Sequence, residues 1–142
     1  MILLDTNVLV ALVDERDELH ARASRDLRKL KGPFALTSVV LSEACLLLDE
    51  RYLRERLGLL LERLPAVPIE PEPPWWSDVF GWLARYADHA PDLADAILVT
   101  LAGRSSAAVW TYDSEFTKVW RLPNGRRVPL ASSMRPAHTR RR

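Results

Sequence analysis

An α/β domain built on a central, mostly parallel sheet is the fold class that the sequence predicts, and three observations predict it. Short apolar runs at residues 2–4 and 107–110 give way to Asp5-Thr6-Asn7 and to Thr111-Tyr112-Asp113, as buried strands do at polar carboxyl ends. Helical stretches lie between such runs, and an alternation of strand with helix favours parallel pairing. At 142 residues, 48% of them hydrophobic, the chain can fill the core of one domain and has no room for a second.

Taken in order, the first strand delivers Asp5 to the lip of the sheet. Asp and Asn also cap helices, so Thr6 or Asn7 equally reads as the start of a helix from Val8. Residues 8–13 continue as that helix, which the acids Asp14, Glu15, Asp17 and Glu18 break. A second helix is expected at about 19–30 and is stopped by Gly32-Pro33. Residues 34–37 form a short strand, with Thr37 or Ser38 as N-cap of a long helix. Leu41, Cys45, Leu48, Tyr52, Leu57, Leu60, Leu61 and Leu64 recur along it at helical spacing, and Gly58 marks the place where it would divide. Glu43 falls in its first two turns among apolar neighbours, either as a partner of the helix dipole or as a group with chemistry to do.

Pro65, Pro68, Pro71, Pro73 and Pro74 forbid helix and leave residues 67–70 as a short strand or extended edge. Trp75, Val79, Trp82, Leu83 and Tyr86 then make an amphipathic helix with an aromatic face. Trp76 lies off that face, where it suits a protein contact. Asp92 stands in N-cap position before an apolar run. Capping explains it more easily than Asp95, which lies a turn later on a helix too apolar for the surface. A buried carboxylate there needs a partner or a metal. Residues 107–111 form a further buried strand, which ends close to Asp113.

Asp5, Glu43, Asp95 and Asp113 thus occupy strand ends and helix starts. Parallel connectivity brings such positions to one edge of a sheet, where ligands of open α/β folds bind. Four carboxylates together repel and titrate upward, and a divalent ion with oxygen ligands, Mg²⁺ or Mn²⁺, resolves that most cheaply. The lone Cys45 excludes an internal disulfide and a cysteine metal cluster, and it reads as a small core residue. His20, His89 and His138 are scattered and lie outside the motifs.

Net charge is +1, but it is unevenly spread. From Arg104 onward there are nine bases and two acids, +7, against eleven and seventeen before it, −6. A basic end closing in Arg140-Arg141-Arg142 is compatible with holding a polyanion near an acidic site, and equally with a solvated tail. Asn124-Gly125 suggests a hairpin turn with bases at its tip. There is no apolar run of membrane length and no charged-then-apolar leader, so a cytoplasmic protein is expected.

Leu3-Leu4-Asp5-Thr6-Asn7, Val40-Leu41-Ser42-Glu43, Leu93-Ala94-Asp95-Ala96 and Thr111-Tyr112-Asp113-Ser114-Glu115-Phe116, in this order and spacing, resemble a PIN domain. Within that family they are most similar to the VapC-type toxins of toxin–antitoxin pairs. The resemblance implies a three-layer α/β/α fold over residues 1–130, followed by a basic tail at 131–142. It implies a metal-dependent endoribonuclease in which Asp5, Glu43, Asp95 and Asp113 are the catalytic and metal-binding acids, supported by Thr6, Asn7 and Thr111. It also implies Mg²⁺ or Mn²⁺ as cofactor, RNA as substrate, an antitoxin as partner, and a homodimer. The leucines of residues 46–64 and the Trp75-Trp76 region are candidate partner surfaces. Two other classes remain open: a catalytically silent RNA- or protein-binding module, which a missing acid would have favoured, and a phosphatase with a nucleophilic Asp, which would want a second Asp where Asn7 stands.

Overall fold

The computed structural model describes residues 1–131. Its elements run β1 (Ile2–Leu4), α1 (Thr6–Val13), α2 (His20–Lys29), β2 (Phe34–Leu36), α3 (Ser38–Leu47), α4 (Arg51–Arg63) and β3 (Val67–Pro68). Then come α5 (Trp76–Arg85), a 3-10 turn at Ala87–His89, α6 (Leu93–Ser105), β4 (Ala108–Trp110) and α7 (Glu115–Lys118).

The strands form one parallel sheet in the order β3-β2-β1-β4, with Ile2 opposite both Phe34 and Ala108, and Leu4 opposite Trp110. The chain steps outward from β1 to β2 and β3, then returns past β1 to β4. Right-handed crossovers therefore put α1 to α4 on one face and α5 with α6 on the other. The packing agrees: α1 lies against α2, α3 and α4, and α5 lies against α6. The result is the expected three-layer α/β/α arrangement. The reversal at β1 opens a crevice beyond the carboxyl ends of β1 and β4.

Leu3 and Leu4 of the central strand are fully buried, as are Val8, Leu9, Leu98 and Trp110. Helix α6 is buried almost all round from Ala94 to Ala102, which is why its sequence shows no polar stripe. The aromatic face of α5 packs inward: Trp82 stands 5.2 Å from Trp120 and 4.8 Å from Tyr86. Its indole N–H donates to the Arg121 carbonyl at 2.8 Å, satisfying the polar end of a buried ring. Trp76, off that face, is 61% exposed.

The long helix expected from residue 38 to 64 is two helices, and the break lies at residues 48–50 rather than at Gly58, which sits inside α4. Leu48 leaves helical geometry at φ −99° and ψ 63° and turns into the core. The Arg54 guanidinium donates to the Cys45 and Leu48 carbonyls, at 3.2 Å each, in place of the lost helical bonds. The break resets the helical phase, so Tyr52, expected on the apolar stripe, is 45% exposed. Helix α1 begins at Thr6, two residues before the expected start.

At Asn124-Gly125 the chain turns back as expected. Gly125 takes φ +82°, its N–H donates to the Leu122 carbonyl at 2.8 Å, and Arg121 bridges Arg127 in antiparallel fashion. Arg126 and Arg127 are exposed at this turn. Leu130 bridges Val109, and the Ala131 N–H donates to the Val109 carbonyl at 3.0 Å, so the chain here runs alongside β4. Apart from Ala131, the basic tail lies outside the described residues. Cys45 is half-buried against the core. Among the described residues, no helix is long and apolar enough to cross a membrane.

Candidate active site

At the carboxyl end of β1 the chain passes directly into α1, and Asp5 occupies the junction as N-cap. Its Oδ1 accepts from the Thr6 backbone N–H at 2.8 Å, and its own N–H donates to the Trp110 carbonyl at 3.0 Å. Oδ2 accepts from the Thr111 hydroxyl at 2.6 Å and the Asn7 amide at 3.3 Å. Asn7 also accepts from the Tyr112 N–H at 3.0 Å, tying the end of β1 to the end of β4. The Asp113 N–H donates to Thr111 Oγ1 at 3.0 Å, and Asp113 Oδ1 accepts from the Glu115 N–H at 2.9 Å, which sets the acid after β4.

Two helix starts supply the other acids. Thr37 caps α3, its side chain accepting from the Val40 N–H at 3.3 Å. Within the first two turns of that helix, Glu43 accepts from the Thr6 hydroxyl at 2.8 Å. Helix α6 opens with a reciprocal capping box, in which Asp92 Oδ1 accepts from the Asp95 N–H at 2.8 Å and Asp95 Oδ2 from the Asp92 N–H at 3.3 Å. Capping thus accounts for both residues, not for Asp92 alone, and Asp95 is half-buried rather than enclosed.

Asp5, Glu43, Asp95 and Asp113 line one open pocket of about 380 Å³, with Asp17 and Asp92 as further acids and Val10, Leu19 and Leu47 as apolar wall. No Lys, Arg or His side chain among the described residues lines it. Asp17 was invisible to sequence reasoning because residues 14–18 read as one acidic helix breaker. Only the fold separates it from Asp14 and Glu15, which pair with Arg16 at 3.0 Å and Arg56 at 2.9 Å. Of the histidines, His20 approaches the Ala11 carbonyl at 2.7 Å and His89 meets Trp120 edge-on; neither lines the pocket, and His138 lies outside the described residues.

Burial raises the Asp5 pKa to about 6, and nearby Asp113 and Asp92 add to the rise; the Thr111 and Thr6 hydrogen bonds oppose it. Asp95 is pushed up further, first by desolvation and then by the charges of Asp92, Asp5 and Asp113. Glu43 is raised by burial and by Asp92, against the pull of its bond to Thr6.

Among the described residues, no three His, Cys, Asp or Glu side chains are grouped as a ready-made metal cluster. The donor set nevertheless fits a hard divalent cation. It is oxygen only, its carboxylates raise one another's pKa, and no cation among the described residues lines the pocket with them.

A PIN domain family model matches residues 2–122. Among solved structures, the chain is similar to Mycobacterium tuberculosis VapC20, described as a sarcin-ricin loop cleaving toxin. The TM-score is 0.71 at 20% identity, covering 82% of this chain and 93% of that one. It is also similar to a chain of FitAB bound to an IR36 DNA fragment, with TM-score 0.59, 23% identity, and 80% and 86% of the two chains covered. For FitAcB from Neisseria gonorrhoeae the TM-score is 0.56 at 22% identity, covering 80% and 88%. No curated protein matches by sequence.

Proposed function

The chain belongs to the PIN domain family, and from that premise we propose that it is a metal-dependent endoribonuclease, the toxin of a VapC-type toxin–antitoxin pair. The observation that carries this reading is that Asp5, Glu43, Asp95 and Asp113, drawn from four separate stretches of sequence, line one pocket at the carboxyl edge of a parallel sheet. The toxin activity described for VapC20, on a similar fold, supports it.

These four acids would hold Mg²⁺ or Mn²⁺, which when bound supplies Lewis-acid charge to a phosphodiester and lowers the pKa of water. The chain's own residues prepare that site. Thr111 and the Thr6 N–H orient the Asp5 carboxylate and favour its ionised form, and the Thr6 hydroxyl does the same for Glu43. Asp92 holds the Asp95 backbone at the end of α6, so the acid is delivered by a rigid element. The reading carries with it a nuclease domain at residues 1–130, a basic tail at 131–142, a homodimer and a cytoplasmic location. An antitoxin would cover apolar surface near the acids, and Leu47, on the pocket wall, is 64% exposed beside Leu46 at 75%.

The deciding experiment is cleavage of several structured and single-stranded RNAs by the purified chain in Mg²⁺, Mn²⁺ or EDTA, with wild type beside Asp5→Asn and Asp95→Asn. Metal-dependent cutting lost in both variants is the expected result. Cutting that survives EDTA or both substitutions overturns the mechanism, and binding without cutting in any metal favours the silent module.

A further inference from the structure

Beside the acidic pocket, and sharing Asp113 with it, lies a second cavity of about 260 Å³ lined by Arg22, Tyr112, Ser114, Thr117 and Lys118 among others. The sign of the charge changes between the two. The first carries six carboxylates and no cation among the described residues, whereas the second is bordered by a guanidinium, an ammonium and two exposed hydroxyls.

The guanidinium is held in place rather than waving in solvent. Its carbon stands 4.9 Å from the centroid of the Tyr112 ring. The Tyr112 hydroxyl donates to Asp26 Oδ2 at 2.7 Å, and Arg22 Nε lies 3.9 Å from the same oxygen. Asp26 is only 7% exposed, so this small framework is anchored in α2. Neither terminal nitrogen of Arg22 has a hydrogen-bond partner among the described residues, and the Lys118 ammonium makes no ion pair among them. Both keep donors to spare for a ligand oxygen.

We infer that this cavity is the subsite for the phosphate neighbouring the scissile one in single-stranded RNA, with Arg22 and Lys118 neutralising it and Ser114 and Thr117 donating to its oxygens. The inference rests on the ribonuclease reading given above. A strand drawn across six carboxylates is repelled unless flanking phosphates meet cations, and such contacts set the register of the strand without reading its sequence. Arg22 already covers one face of Tyr112, so a base cannot stack on that face. The cavity therefore suits a phosphate better than a nucleobase.

The test is fluorescence anisotropy with a fluorescein-labelled 12-nucleotide RNA of random sequence in Mg²⁺, on an Asp5→Asn parent that does not turn the RNA over. Arg22→Gln and Lys118→Gln are each expected to weaken binding about tenfold, the worth of one charge-assisted contact. Each should also lower the slope of log affinity against log salt by about 0.7. Lys118→Arg keeps both quantities, and Arg51→Gln, which lines neither cavity, changes neither; circular dichroism checks each fold. If the parent binds and both glutamine variants keep its affinity and slope, the subsite is overturned while the ribonuclease reading stands. If the parent binds no RNA the subsite is likewise overturned, and cleavage by the wild type then judges the ribonuclease reading separately.

Discussion

The Thr6 hydroxyl donates to Glu43 at 2.8 Å across 37 positions of sequence, joining the first turn of α1 to α3 at the rim of the acidic pocket. This bond fixes the orientation of a half-buried carboxylate that burial and Asp92 push upward in pKa. With Glu43 a metal ligand, as proposed above, Thr6→Val should weaken Mg²⁺ or Mn²⁺ binding by about tenfold or more, as loss of a ligand's outer partner commonly does. Thr6→Ser keeps the donor and should bind as the wild type does. Calorimetric titration reads both, and equal affinity in the valine variant would remove Glu43 from the metal set.

The pH dependence of stability follows from Asp5. Its folded pKa, about 6, lies above the ordinary value of 3.8. The stabilisation it gives as a neutral acid is therefore complete below about pH 3.8 and is lost as pH rises toward 6. Once ionised in the metal-free fold it costs about 3 kcal/mol. Asp95, also raised, extends the loss toward pH 8. In EDTA the urea midpoint should thus fall between pH 5 and pH 8; Asp5→Asn should flatten that fall, and Mg²⁺ at pH 8 should restore stability. A midpoint that rises over the same range would contradict burial as the dominant cause.

Asp92 combines two roles that substitution can separate. Asp92→Ala removes both the cap of α6 and a charge, at a stability cost of about 1 kcal/mol. Asp92→Ser keeps a capping oxygen and removes only the charge. The two variants should differ in melting temperature yet move the pH profile of cleavage alike, toward lower pH. A shift confined to the alanine variant would assign Asp92 to helix geometry alone.

Tyr112→Phe should destabilise the fold by about 1–3 kcal/mol, because Asp26, 7% exposed, loses the donor at 2.7 Å and keeps only the longer approach of Arg22. Denaturant titration checks this. Adding Asp26→Asn should recover part of the loss, since a neutral amide is cheaper to leave underpaired than a carboxylate.

Much of this arrangement was legible in the residues. Period and punctuation marked the strands, and the polar residues after each apolar run lie at the carboxyl edge, because parallel topology sends every strand the same way. What escaped depended on long-range contacts. The break between α3 and α4 is stabilised by Arg54 reaching back to two carbonyls, and nothing in the local pattern outranked Gly58 as a breaker. Asp17 is one acid among four neighbours, and only the path of the loop between α1 and α2 brings it to the pocket. The second cavity joins Arg22 to Lys118 across 96 positions, a pairing without any periodic trace.

The reciprocal bonds between Asp92 and Asp95 carry a consequence for how such a chain can evolve. The same carboxylates that line the pocket hold the first turn of α6, a helix buried almost all round from Ala94 to Ala102. A mutation that removes the charge at position 95 also loosens the start of that helix unless the new side chain can still accept from the Asp92 N–H. Descendants that lose this charge should therefore pass through Asn or Ser at this position more readily than through Ala or Leu, and the pocket's shape should outlive its charge.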